Sequence, residues 1–523
     1  MDITQNSSFL GSMLNNIRES GKNPTRVLVG FFGAWIMFAL ILWVFPQPEG
    51  LSRNGMAVLA IVVWASIMWV SEALPVGITG ISVPTLLILT EGIPWVEKKG
   101  KLAPPMEVVF GGFTKHVVWL CLFAFLVGAI MQLLKLDRRI ALGILDKIKA
   151  SNVGRVIWGM FFVNIILAFL IPAANARAAT LLPVVKGITN LLGDSPEEQE
   201  AKKAIVIQSL VYGTMICGVF IMTAHLPNLI MIGIFDNGGY TNLGYLNWAV
   251  LQFPYLGMFV LTQWWVRYHF KTGNVMISGG HAEIHKQHKE LGSMSRTEWT
   301  LIVVFCVIAL LFMMGKGSPI YELHKYQLGI IGLIGILIMF TPGLFPFKWN
   351  EVQSRTIWGT FLLLGGAITM TAAMSKSGLA GYLAHLIHGM VIDKSWWMTI
   401  LILMIGTHII RIGMLSNVAA IAMLAPIVFE LAKTLGFHPV AFTLLVCDTD
   451  TFAYLLPTQI TAAVIAYGSE TFSVTDYAKV GWLSILIAIA YGLLIMAPWY
   501  AFLGLPVWEG VPAAGGLAPW PYK

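Results

Sequence analysis

Of the 523 residues, 57% are hydrophobic and 11% charged, and the mean hydropathy of +0.76 excludes an ordinary soluble domain. The formal charge of +7 and pI near 9.1 follow from the bias of membrane proteins toward basic cytoplasmic loops, so nucleic-acid binding is not expected. Cys121, Cys217, Cys306 and Cys447 all lie in apolar runs without close spacing, which points to buried packing residues and away from a disulfide framework or a zinc site.

Residues 1–26 read as a polar cytoplasmic segment carrying Arg18, Lys22 and Arg26, and the apolar run that follows lacks a small-residue cleavage site, so it is expected to remain as a helix. A spanning helix needs about 20 apolar residues, and such runs begin near Val27, Met56, Leu74, Val117, Lys203, Trp248, Trp299, Tyr326, Ile357, Ala441 and Val480. The fold class is therefore an all-α polytopic membrane protein with about eleven spanning helices. A cytoplasmic N-terminus puts most basic loops, including Arg138, Arg139, Lys147, Lys149 and Arg155, inside, while Lys98, Lys99 and Lys101 fall outside.

Two stretches remain. Residues 169–184, FLIPAANARAATLLPV, and 411–426, RIGMLSNVAAIAMLAP, break apolar sequence with proline, asparagine and arginine. Broken helices survive at membrane depth only where protein or a wet cavity covers the backbone, so each is expected to be a re-entrant hairpin at a binding site. Each follows a similar segment, WLCLFAFLVGAIMQLLKLDRRIAL at 119–142 and WGTFLLLGGAITMTAAMSKSGLAGYL at 358–383. Each precedes an interrupted helix, with TAHLPN at 223–228 and LPTQITAA at 456–463. Paired interruptions in two halves point to an inverted-repeat transporter. The expected halves are 27–268, with a hairpin near 160–185 and a broken helix near 203–235, and 299–502, with a hairpin near 400–432 and a broken helix near 441–467. A cytoplasmic loop, 269–298, joins them, and a tail, 503–523, follows.

Asn175 and Asn417 at the breaks can offer a carbonyl to a cation and an amide to an anion, while freed helix N-termini attract carboxylates; capping of their own hairpins is the alternative. An arginine at membrane depth costs about 2.5–3.5 kcal/mol and faces a cavity or a partner, which makes Arg177 a candidate anion ligand. Arg411 is the weaker candidate. Asp448 and Asp450 are either coupling carboxylates or the counter-charges of these arginines. His225 either donates to substrate or packs. Glu72 is expected to cap or bond locally, and HAEIHKQHK at 281–289 to be a solvated loop.

Several segments in order resemble the divalent anion:sodium symporter family of the ion transporter superfamily: WVSEALP at 69–75, LKLDRRIAL at 134–142, TAHLPN, LGSMSRTEW at 291–299 and LSNVAAIAMLAPI at 415–427. The resemblance implies scaffold and transport domains, a homodimer, elevator movement, and substrate and sodium sites at the two tips and two turns. Carried onto this chain, it implies substrate contacts at Asn175, Arg177, Thr223, Pro227, Asn228, Ser416, Asn417, Val418 and Thr461, with sodium at Asn175, Ser416 and Asn417. The family's Ser-Asn-Thr tip is reduced to Ala174-Asn175-Ala176, Val418 replaces a threonine, and Ile460, Thr461, Ala462 and Ala463 stand where T-P-P-N is expected. NARAA at 175–179 is closer to the exchanger branch.

The expected function is secondary active transport of a small divalent organic anion, such as succinate, malate or citrate, in the bacterial inner membrane. Sodium is the expected coupling ion, and no other cofactor is expected. Sodium-independent exchange and sodium/proton antiport are the alternatives. A membrane enzyme is not expected, because the spans hold no nucleophile–base pair or metal-ligand cluster.

Overall fold

The computed structural model describes residues 17–18, 23–98, 101–171, 173–240, 243–273, 275–277, 279–315, 318, 322–414 and 416–509. Among them, nine helices are long and apolar enough to cross a membrane, or ten if Leu379–Val391 and Trp396–Arg411, bent by 119°, form one span. Two further expected spans form shorter apolar helices, Val76–Leu89 and Leu328–Met339. The only strands among the described residues, Val96–Lys98 and Lys101–Ala103, pair antiparallel around the lysine-rich loop.

Between helices in lipid there is little hydrophobic drive, so tight packing comes from small residues that let backbones approach. Val76–Leu89 crosses Trp358–Lys376 in this way. A Cβ on Gly77 would lie 2.7 Å from Gly359 Cα, and one on Gly80 would lie 2.7 Å from Leu362 O and Leu363 Cα. His116–Leu134 packs on Leu328–Met339 through the same device, with a Cβ on Gly332 reaching 2.9 Å from Phe123 Cβ.

Both crossings join a helix of the first half to one of the second, with the roles exchanged. The same exchange recurs deeper in the fold. Ala174–Thr189, after the first break, packs on Thr461–Tyr467, while Asn417–Thr434, after the second, packs on Leu226–Asn237. Such reciprocity is what inverted repetition of the two halves would produce. One expectation fails on burial: Cys306 is exposed, because its helix Arg296–Met313 has only 22% of its most apolar window buried inside the protein.

Gly80→Leu is expected to lower the Tm of the detergent-solubilised protein, through overpacking worth about 1–3 kcal/mol or more. Gly381→Leu should be near neutral, since nothing lies within 4 Å of its Cβ. Thermal unfolding of the two variants checks the contrast.

Candidate functional site

The two breaks both end in an extended residue before the next helix, Ala173 (φ −113°, ψ 127°) and Ser416 (φ −137°, ψ 120°). In the first, Val153–Leu170 stops at the extended Ile171 (φ −118°, ψ 109°), the residue before Pro172, where helical backbone is disfavoured. Ala173 then caps Ala174–Thr189. In the second, Trp396–Arg411 ends before Gly413, and Ser416 caps Asn417–Thr434, its Oγ accepting from Ala419 N at 3.3 Å. The interrupted helices correspond too. A 3-10 turn, Met222–Ala224, leads through extended His225 (φ −144°, ψ 127°) into Leu226–Asn237. Another, Pro457–Gln459, leads through extended Ile460 (φ −131°, ψ 123°) into Thr461–Tyr467.

Each break strands carbonyls, and a buried guanidinium collects them. Arg177 is fully buried and donates from Nη1 to Ile171 O and Ala224 O, both at 2.8 Å, and from Nη2 to Thr214 O at 2.8 Å. Arg411, also fully buried, donates to Met414 O at 3.2 Å, to Gln459 O at 2.7 Å and to Asn417 Oδ1. Counting from the helix starts, Ile171 corresponds to Met414 and Ala224 to Gln459. The two guanidiniums thus fill equivalent places although one arginine follows its break and the other precedes it.

In front of them lies a cavity of about 270 Å3. Its lining includes the first residues of Ala174–Thr189, Leu226–Asn237, Asn417–Thr434 and the short Thr461–Tyr467. Helix N-termini carry unsatisfied N–H groups and the positive end of the helix dipole, so a cavity where several meet suits an anion. Glu72 and Trp69 also line it. Glu72 sits in a left-handed C-cap (φ 51°) and pairs with Arg26, 46 residues earlier, at 2.8 Å.

The cavity brings together five of the nine expected substrate residues: Asn175, Ser416, Asn417, Val418 and Thr461. Four do not line it. Arg177, expected to meet the anion, is instead turned onto three carbonyls, because unpaired carbonyls at membrane depth are costlier than a distant anion contact. Thr223 bonds Tyr245 Oη at 3.2 Å, and Pro227 is buried in the first turn of its helix. Asn228 donates to Gly218 O and Ile221 O at 3.0 and 3.1 Å, stitching the unwound turn.

Of the expected sodium ligands, Asn417 Oδ1 faces Arg411 and Ser416 Oγ caps its helix, while Asn175 is half-buried at the cavity. The two aspartates separate. Asp450 pairs with Arg411 Nε at 3.5 Å, and Asp448 accepts from Gln252 Nε2 at 2.7 Å with no arginine beside it. Sequence reading missed Gln459, whose Oε1 accepts from Leu456 N at 2.7 Å and whose Nε2 donates to Arg411 O at 3.0 Å. Its place in an interrupted apolar helix was the available signal.

The family profile described as Sodium:sulfate symporter transmembrane region matches residues 30–506. A Cupriavidus necator protein named only as a membrane protein is 28% identical over 484 residues, covering 90% of this chain and 93% of its own. A Staphylococcus saprophyticus protein named sodium-dependent dicarboxylate transporter SdcS is 25% identical over 521 residues, covering 95% and 96%. Among solved structures, the YdaH transporter of Alcanivorax borkumensis superposes with a TM-score of 0.52 at 14% identity, over 82% of this chain and 99% of that one. MtrF of Neisseria gonorrhoeae gives 0.55 at 13%, over 87% and 100%. These two show the fold alone.

Away from the cavity, the expected solvated loop contains a helix, Gly280–Glu290, docked on Leu136–Lys147. His281, His285 and His288 converge on Asp146 at 3.2, 2.9 and 2.9 Å. Among the described residues no group could hold a metal ion, so the cluster reads as a docking latch. Burial alone would raise the Asp146 carboxyl, but hydrogen bonds and charge from His288 and His285 outweigh it and hold the group below its ordinary value. Its contribution is therefore present at neutral pH and is lost as pH falls through that lowered value. Limited proteolysis across residues 270–295 is expected to accelerate in that acidic window, and Asp146→Asn to show the acceleration already at neutral pH.

Proposed function

This chain belongs to the sodium:sulfate symporter family of membrane transporters, and within it we propose a secondary active carrier of divalent organic anions, four- to six-carbon di- or tricarboxylates, that works as a sodium-independent exchanger. The observation that carries the anion reading is the convergence of helix N-termini from both halves on one small cavity. Two carboxylates at opposite ends of one molecule can then each meet a helix start contributed by a different half.

The coupling mode follows from the arginines. Unwound carbonyls and an asparagine oxygen are a donor set that can coordinate sodium. Here the equivalent carbonyls Ile171 O with Ala224 O, and Met414 O with Gln459 O, receive guanidinium hydrogens instead. Two fixed charges would do permanently what two bound cations do transiently. The name of the Staphylococcus saprophyticus relative supports a second reading, sodium-coupled symport, in which Asn175 at the less occupied tip would contribute to a cation site. Sodium/proton antiport remains the third reading: Asp450 is paired with Arg411, which leaves Asp448, bonded to Gln252, as its candidate carrier. A homodimer with elevator movement of the cavity-bearing unit, in a bacterial inner membrane, completes the proposal.

Counter-flow into proteoliposomes tests it. Labelled succinate, malate or citrate is expected to accumulate against an unlabelled internal anion without sodium. The exchange reading fails if uptake requires a sodium gradient, and the anion reading fails if no di- or tricarboxylate moves under either condition.

A further inference from the structure

His225 links the two halves at the cavity, and hydrogen-bond logic fixes its state. A guanidinium can only donate, so the Asn417 atom facing Arg411 is the carbonyl Oδ1. The amide nitrogen Nδ2 then faces Thr451 O at 3.3 Å and His225 Nε2 at 3.4 Å. Nδ2 only donates, so in this contact Nε2 is the acceptor and the ring proton is assigned to Nδ1, which meets no hydrogen-bond partner among the described residues. Gly218 lies beside both groups: a Cβ there would approach Arg177 Nη2 tightly, at 3.1 Å, and touch His225 Cβ at 3.5 Å.

His225 is the residue immediately before Leu226–Asn237, and Asn417 is the first residue of Asn417–Thr434. Both line the cavity. We propose that His225 is a positioning residue that, as a neutral acceptor from Asn417, fixes the separation between these two helix starts and so sets the length of dianion the cavity takes. This role rests on the anion-transport reading. A ring that merely filled space would be replaced without loss by an apolar side chain of similar size.

Counter-flow kinetics on His225→Gln, His225→Asn and His225→Leu separate the two roles, with inhibition by dicarboxylates of three to six carbons as a second readout. Glutamine can place an acceptor near the Nε2 position and asparagine cannot reach it. His225→Gln is expected to keep KM within about threefold of the wild type. His225→Asn and His225→Leu are expected to raise KM about tenfold, the scale of one lost buried hydrogen bond, with a smaller change in kcat and a flatter preference among chain lengths. Equal KM values for the glutamine and leucine variants, or an unchanged length preference in His225→Asn, would overturn the role while leaving anion exchange standing. If His225→Leu does not fold, the glutamine and asparagine pair, alike in polarity, decides. Failure of the wild type to move any di- or tricarboxylate, with or without a sodium gradient, would overturn the anion-transport reading and this role with it.

Discussion

A backbone carbonyl released from a helix inside a bilayer has no water to turn to, and everything at this site depends on how that need is met. The two breaks and the two interrupted helices free N–H ends at the helix starts, and they strand carbonyls on the other side of each break. Arg177 and Arg411 resolve both halves of the problem by donating to carbonyls across each break, tying hairpin to interrupted helix. Their charge is offset in part: each guanidinium donates three hydrogen bonds to oxygen acceptors, and Asp450 adds a counter-charge on one side only. The pair therefore places two guanidiniums, with Asp450 as counter-charge to one of them, near the cavity.

The same economy of small parts runs through the packing. Glycines at the crossings of Val76–Leu89 with Trp358–Lys376 and of His116–Leu134 with Leu328–Met339 bring the halves to backbone contact. Deeper in, each arm that starts at the cavity leans on an arm from the other half. A carrier that must bind one molecule between two halves gains from this exchange, because neither half holds a complete set of helix starts by itself.

Much of this was legible in the sequence, for identifiable reasons. Long apolar runs mark spans because hydrocarbon leaves no other use for them, and Pro172, Asn175 and Asn417 mark the breaks because proline ends a helix and polar asparagines favour helix starts over apolar interiors. What the arginines touch was not legible. A guanidinium reaches several residues in any direction, so its partners depend on how two distant turns fold back on it, and Arg177 and Arg411 sit on opposite sides of their breaks. Nor could burial be read in lipid-facing helices, where apolar residues point both inward and outward; Cys306 was misjudged on that ground. His225 was visible as an oddity in TAHLPN, but its link to Asn417 spans the two halves and needed the fold.

The central claim is that fixed guanidiniums replace bound sodium behind the anion cavity. Equilibrium binding of succinate to the purified protein, in sodium chloride and then with sodium replaced by choline, tests this without involving transport rates. The account predicts the same Kd in both media, within about twofold; a Kd weakened about tenfold or more, or about 1.4 kcal/mol, when sodium is withdrawn would contradict it.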